Sequence, residues 1–310
     1  MTRLLVRRIG LMLLIMLVVG FILFLVNEGD PRSVARGVLG PYAQDEQLDL
    51  WIEQNGYDRP IPIRFLDWVG GVATGDLGES VQYKRPVNEF FWDRLGNTGI
   101  LAGLTFAIMV PLALVLGVFA GMKEGSTQDR TISVVSIITT SVPEFASAVI
   151  LTTIFVIQLK WLPGTSSMAA GWDWAQMILP VSVLVLYGFG YIARMTRASM
   201  AEVMTTHYIR TAVLKGLPYK RVILKHALRN ALIAPFTVIM LQLNWLLSGV
   251  VVTEYAFAYK GFGTLLLEAA LRRDIFVIEA CGLAAVFVAV LSQTLGDIGY
   301  TFLNPRIRFS

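Results

Sequence analysis

The chain has 310 residues, of which 55% are hydrophobic and 15% charged, and a formal net charge of +4. Its apolar residues come in blocks near the roughly 20 residues a helix needs to cross a hydrocarbon core, which excludes a single soluble core. The small basic excess sits beside those blocks and argues for topology-setting residues rather than a nucleic-acid surface.

The N-terminus places Arg3, Arg7 and Arg8 before an apolar run over 9–26. That run is long for a leader core and has no A-x-A-like site before Asn27, so it reads as a first membrane anchor rather than a cleaved signal peptide. Residues 27–97 hold most of the acidic side chains and several Gly and Pro breakers, an extramembrane insert. Apolar blocks follow at 98–121, 132–157, 176–193, 232–253 and 277–303, each long enough to span with some tilt. The expectation is an all-α integral membrane fold with six transmembrane helices, divided into 1–26, the insert 27–97, and a five-helix domain 98–310 carrying a basic loop 194–231. Pro111, Pro143, Pro180 and Pro235 predict kinks within spans rather than loop ends, because membrane helices can re-satisfy the freed backbone groups.

Lys and Arg in short loops orient the chain. Segment 194–230 carries Arg194, Arg197, Arg210, Lys215, Lys220, Arg221, Lys225 and Arg229 against the single acid Glu202, and so belongs on the cytoplasmic side. The same choice puts Arg3, Arg7, Arg8, Lys123, Arg130, Arg306 and Arg308 inside, with both termini cytoplasmic and the acidic insert external. Gly117 and Gly121 close the second span in a small-xxx-small pattern, which either permits close helix approach or is simply two small residues in a membrane helix. Cys281, the only cysteine, excludes an intramolecular disulfide and reads as a small buried filler.

Within the basic loop, Ile209, Ala212, Val213 and Leu217 share one face of a predicted helix over 208–217, which Gly216 and Pro218 end. A basic amphipathic helix of this kind either lies on lipid or docks into a partner's groove. The run YIRTAVLKG over 208–216, followed by HALRN over 226–230, resembles the EAA loop of ABC importer permeases of the oligopeptide, dipeptide and nickel family. Ala212 and Gly216 stand where that family's alanine and glycine do, and Arg210 replaces the glutamate that names the loop. The resemblance extends to GDP over 29–31, GYDRPIP over 56–62, GDLG over 75–78 and SVPEF over 141–145. It also covers Glu254, Phe257, Gly261 and Gly263, with Lys260 in place of a proline, and Arg273 with Asp274, where Phe276 again replaces a proline.

The resemblance implies a permease subunit that contacts an ATPase through Tyr208, Ile209, Arg210, Thr211, Ala212, Gly216 and Leu217. Its implied partners are a homologous second permease, two ATPase subunits holding ATP and Mg, a periplasmic solute-binding protein, the lipid bilayer and a peptide-like substrate. The implied location is the bacterial inner membrane. The residues themselves contain no GxxxxGKS or GxxxxGKT phosphate loop, so no cofactor is expected in this subunit. An ion-gradient-driven secondary transporter is the alternative, with Glu144, Glu279 and Asp297 as candidate intramembrane carboxylates. Glu279 and Asp297 fall near span ends and are expected at the interface. Glu144 lies well inside a span, either lining the translocation pathway or packing a helix interface. His207 and His226 have no acid or Cys at ligand spacing, and no GxSxG elbow occurs, so no metal site or catalytic residue is expected.

Overall fold

A computed structural model describes residues 2–303 apart from 170 and 249; Arg306 and Arg308 lie outside the described residues. In chain order the helices are α1 (Thr2–Glu28), α2 (Pro31–Leu39), α3 (Asp45–Gln54), α4 (Ile61–Thr74), α5 (Asn88–Met122), α6 (Thr127–Ser141) and α7 (Glu144–Thr152). Then come α8 (Trp174–Met204), α9 (His207–Leu214), α10 (Tyr219–Arg221), α11 (Leu228–Ala231), α12 (Ile233–Leu247), α13 (Val251–Ala256), α14 (Phe262–Arg272) and α15 (Ile275–Leu303). Two π-helical turns, Thr153–Gln158 and Val222–Ala227, extend α7 and join α10 to α11.

Four unbroken helices are long and apolar enough to cross a bilayer: Arg7–Glu28, Asn88–Met122, Trp174–Met204 and Ile275–Gly299. Two bent pairs bring the number of candidate spans to six, Thr127–Ser141 with Glu144–Gln158 at 99° and Tyr219–Ala231 with Ile233–Leu247 at 57°. The block 132–157 is therefore a sharp break rather than a kinked helix. Pro143 holds the residue before it out of helical geometry, and Val142 is extended at ψ 123. The block 232–253 also stops early, α12 ending at Leu247 and Thr253 belonging to α13.

Pro111 and Pro180 behave as expected and sit inside continuous helices. Pro180 cannot donate to the carbonyl of Gln176 one turn back, and the Ser166 hydroxyl supplies that hydrogen bond instead. Pro235 sits in the first turn of α12, where a missing N–H leaves no intrahelical bond unmade.

The described residues form two units, 2–98 with 260–290 and 99–259 with 291–303. In the first unit the insert is helical. Asp30 caps α2 by accepting from Arg32 N at 3.1 Å, with Pro31 following at the first helical position, where its missing N–H is tolerated. Gly75, at φ +88, closes α4 in the left-handed conformation. Asp274 collects Ser80 Oγ at 2.5 Å, Gln82 N at 3.1 Å and Val81 N at 3.2 Å, fixing the loop that follows the GDLG run. Tyr83 donates to Glu268 at 2.7 Å, and burial together with that carboxylate pushes its phenol pKa up. Val87, Phe90, Phe262, Val277 and Cys281 share one apolar cluster, so Cys281 is the filler expected. Glu279, in the second turn of α15, is 1% exposed and packed within this unit.

In the second unit α5, α8 and α12 bury Met109, Ala113, Leu184, Phe189, Ile239 and Leu246 together. The small residues here are contact points. A Cβ on Gly117 would lie 2.5 Å from Thr196 Cβ, and one on Gly121 would lie 2.5 Å from the Arg197 carbonyl, so α5 approaches α8 as closely as a side-chain-free surface allows. Gly190 makes the matching approach on the other side of α8, where a Cβ would sit 2.5 Å from the Ser136 carbonyl.

Candidate functional site

Residues 194–204 of the expected basic loop are helical and belong to α8, so the loop itself begins at Thr205. Thr206 stands at the N-cap of α9 and its carbonyl accepts from Arg210 N at 3.2 Å. The helix stops at Leu214, three residues earlier than the spacing predicts. Gly216 at φ +73 and Pro218, which caps the next helix, turn the chain as expected. Leu217 falls outside the helix, and its N–H closes the turn on the Ala212 carbonyl at 3.4 Å.

The apolar face divides in a way that the sequence does not show. Ile209 and Ala212, at 2% and 6% exposure, pack into the chain's own cluster with Met200, Val222, Ile223 and Ala227. Val213 is 51% exposed and Leu214 is 79% exposed. Tyr208 is 42% exposed, and Arg210 and Thr211 also face outward. Ile209 and Ala212 thus anchor α9 to its own loop, while Leu214, Val213 and Tyr208 form the edge left free. The Tyr208 hydroxyl accepts from Asn230 Nδ2 at 2.8 Å, joining the two ends of the loop, YIRTAVLKG and HALRN.

The π-helical turn Val222–Ala227 gives the loop its internal surface. It buries Val222, Ile223 and Ala227 toward α9, and His226 lies within it, half-buried. No periodicity rule for an α-helix predicts such a turn. Below the loop, Asp129 at the start of α6 grips Arg197 of α8 through two bonds, Nε to Oδ1 at 2.9 Å and the terminal nitrogen to Oδ2 at 2.8 Å. Gly125 N also donates to Asp129, at 2.9 Å, so the carboxylate fixes the turn before α6 as well. Charge counting assigned Arg197 to topology alone; the opposite charge 68 positions upstream gave no sequence pattern to find.

Glu144 opens α7 at the far side of the break behind Pro143. It is half-buried, and its Oε1 accepts from the main-chain N–H of Thr253 at 2.9 Å and from the Thr253 hydroxyl. Thr253 is fully buried in the first turn of α13, so the carboxylate supplies a cap to a helix distant in sequence.

With this geometry in place, comparison with known proteins gives consistent matches. The model of the family described as binding-protein-dependent transport system inner membrane component matches residues 113–309, and its N-terminal companion matches residues 1–102. A Brucella abortus chain provisionally named a peptide transport system permease protein is 35% identical over 314 residues, covering 100% of both chains. A glutathione transport system permease protein of Salmonella choleraesuis is 33% identical over 305 residues, covering 98% of this chain and 97% of its own. An oligopeptide transport system permease protein of Bacillus subtilis is 30% identical over 299 residues, covering 94% of each.

Proposed function

The chain belongs to the binding-protein-dependent transport system inner membrane component family, and on that premise we propose that it forms the translocation pathway of an ATP-driven ABC importer for peptides or related small solutes. The observation that carries this reading is the family match across both halves of the chain, joined to relatives named for peptide, glutathione and oligopeptide transport. The subunit is a multi-pass membrane component and not a catalytic one. A second homologous permease completes the pore, and a solute-binding protein delivers substrate from outside. Two ATPase subunits hold ATP and Mg and supply the energy. The absence of a phosphate-loop motif from the 310 residues supports that division of labour.

Coupling runs through α9. Its outward edge of Leu214, Val213 and Tyr208, with Arg210 and Thr211 beside it, seats in a groove on the ATPase. Ile209 and Ala212 hold the helix on its loop, and Gly216 and Leu217 fix its end. The lysines and arginines of the loop favour the cytoplasmic side for this segment and for both termini. Glu144 borders the pathway beside the break and offers negative charge to the amino terminus of a peptide, while Thr253 holds the carboxylate in place.

Reconstitution tests the reading. The full assembly in proteoliposomes should take up labelled peptide when ATP is supplied to the ATPase side, and uptake should persist after the membrane potential is collapsed. Uptake that needs an ion gradient and ignores ATP would instead establish a secondary transporter.

A further inference from the structure

In the second unit α5, α7 with its π-helical turn, and α8 enclose a cavity of about 350 Å³ that opens to one side. Ile108, Leu151, Phe155, Ile178 and Val185 line it, and Ser182 is its one polar contributor. That volume is within the usual range of small-ligand sites, about 300–1,000 Å³, yet a lining this apolar offers no group to orient a peptide or an ion. The π-helical turn Thr153–Gln158 contributes Phe155 to the wall, and such turns recur at functional sites.

Beside the slot, the connection from the π-helical turn to α8 carries different chemistry. Trp161 N and Leu162 N both donate to the Phe155 carbonyl, at 2.9 and 3.3 Å, so the turn bearing Lys160 is tied to a lining residue. Lys160 is exposed, holds a left-handed backbone at φ +56, and makes no ion pair among the described residues. Trp161, Trp172 and Trp174 are exposed in the same connection, and Trp174 lies one turn before Ile178 on α8. Tryptophans with a nearby lysine mark the headgroup level of a membrane, where indoles sit between apolar and wet surroundings and an ammonium meets phosphate. Protein interfaces, by contrast, are depleted in lysine.

We propose that this cavity is a specific phospholipid site, which takes one acyl chain into the apolar slot and binds an anionic headgroup at Lys160 between the tryptophans. The proposal requires that α5, α7 and α8 lie in the membrane with Lys160 at its surface, and is independent of which solute the transporter carries. One opposite unit charge about 4 Å away is worth about 1 kcal/mol in water, roughly a fivefold preference for an anionic over a zwitterionic lipid.

The test uses the assembled transporter in vesicles of phosphatidylethanolamine and phosphatidylglycerol, with a photoreactive phenylalanine analogue in place of the exposed Ile178. Irradiation should give a phospholipid adduct, read by mass, in which phosphatidylglycerol is enriched about fivefold over its bulk share. Lys160→Gln should return the adduct to bulk composition, and lipid retained by the unmodified protein in native mass spectrometry should change in the same direction. An adduct with the second permease subunit, no adduct, or a lipid adduct whose composition ignores Lys160 would each overturn the proposal.

Discussion

One oxygen of Glu144 receives both the main-chain N–H of Thr253, at 2.9 Å, and its hydroxyl, joining the break in the third span to the first turn of α13. The same carboxylate is the charged group proposed at the pathway, so the two roles must be separated by substitution. Glu144→Ala removes the acceptor and should lower stability by about 0.5–2 kcal/mol, the usual cost of losing a helix cap. Glu144→Gln keeps an acceptor and should unfold within a degree or two of the wild type in a detergent melt, roughly the effect of a few tenths of a kcal/mol in a protein of this size. In transport assays the Gln variant should lose uptake of peptides with a free amino terminus and lose less with amino-blocked ones. Equal transport of both by both proteins would leave Glu144 as a cap and nothing more.

Close packing of α5 on α8 predicts a position-specific response to a single methyl group. Gly121→Ala places a Cβ 2.5 Å from a backbone carbonyl that has no free end to swing aside, and should destabilise by about 1–3 kcal/mol. Gly103 lies on the same helix with nothing near its missing Cβ, so Gly103→Ala should be neutral or slightly stabilising. Comparable melting of the two variants would show that α5 and α8 are not in contact at Gly121.

The Asp129–Arg197 pair invites a double-mutant cycle. The Asp129 side chain is buried and that of Arg197 is partly exposed. The two single changes, Asp129→Asn and Arg197→Gln, should together cost more than the double change does. A coupling energy of about 0.5–3 kcal/mol is expected for neighbours in one network. Additive effects, measured by denaturant or thermal unfolding, would mean that the two-bond geometry contributes nothing.

Orientation is open to direct labelling. With Cys281 replaced by Ala to give a silent background, single cysteines at Thr127 and Asp173 should react with an impermeant thiol reagent from opposite faces of the membrane. Thr127 should be reached only from the side of the basic loop. Reaction of both from one face would overturn the arrangement in which the 127–158 segment crosses the bilayer.

Composition and block length made the membrane class and the six candidate spans legible, because hydrophobic thickness is a strong constraint on sequence. The limits of each block were less legible: hydropathy follows the bilayer rather than the helix, so α5 starts at Asn88 and α8 runs on to Met204 beyond their apolar cores. Pro143 illustrates a different limit. Proline removes the same N–H wherever it stands, yet Pro111 and Pro180 sit inside continuous helices while Pro143 stands at a 99° break, a difference the residue type alone does not carry. The face of α9 is a third case. Spacing groups Ile209, Ala212 and Val213, but the first two pack inward on Met200 and on a π-helical turn at 222–227 that no 3.6-residue period shows, while Val213 stays exposed.

That division of α9 determines where the coupling hypothesis should be probed. A charge at Ala212 would break the loop's own core and lose function for reasons unrelated to docking. Leu214 is 79% exposed, so Leu214→Asp should leave the fold and membrane assembly intact while placing a carboxylate in the partner's groove. The decisive measurement is ATP hydrolysis by the purified assembly, with and without substrate-loaded binding protein, in the wild type and Leu214→Asp. The account predicts that stimulation by the loaded binding protein is lost in the variant while its melting temperature is unchanged. Full stimulation in a correctly assembled Leu214→Asp transporter would contradict it.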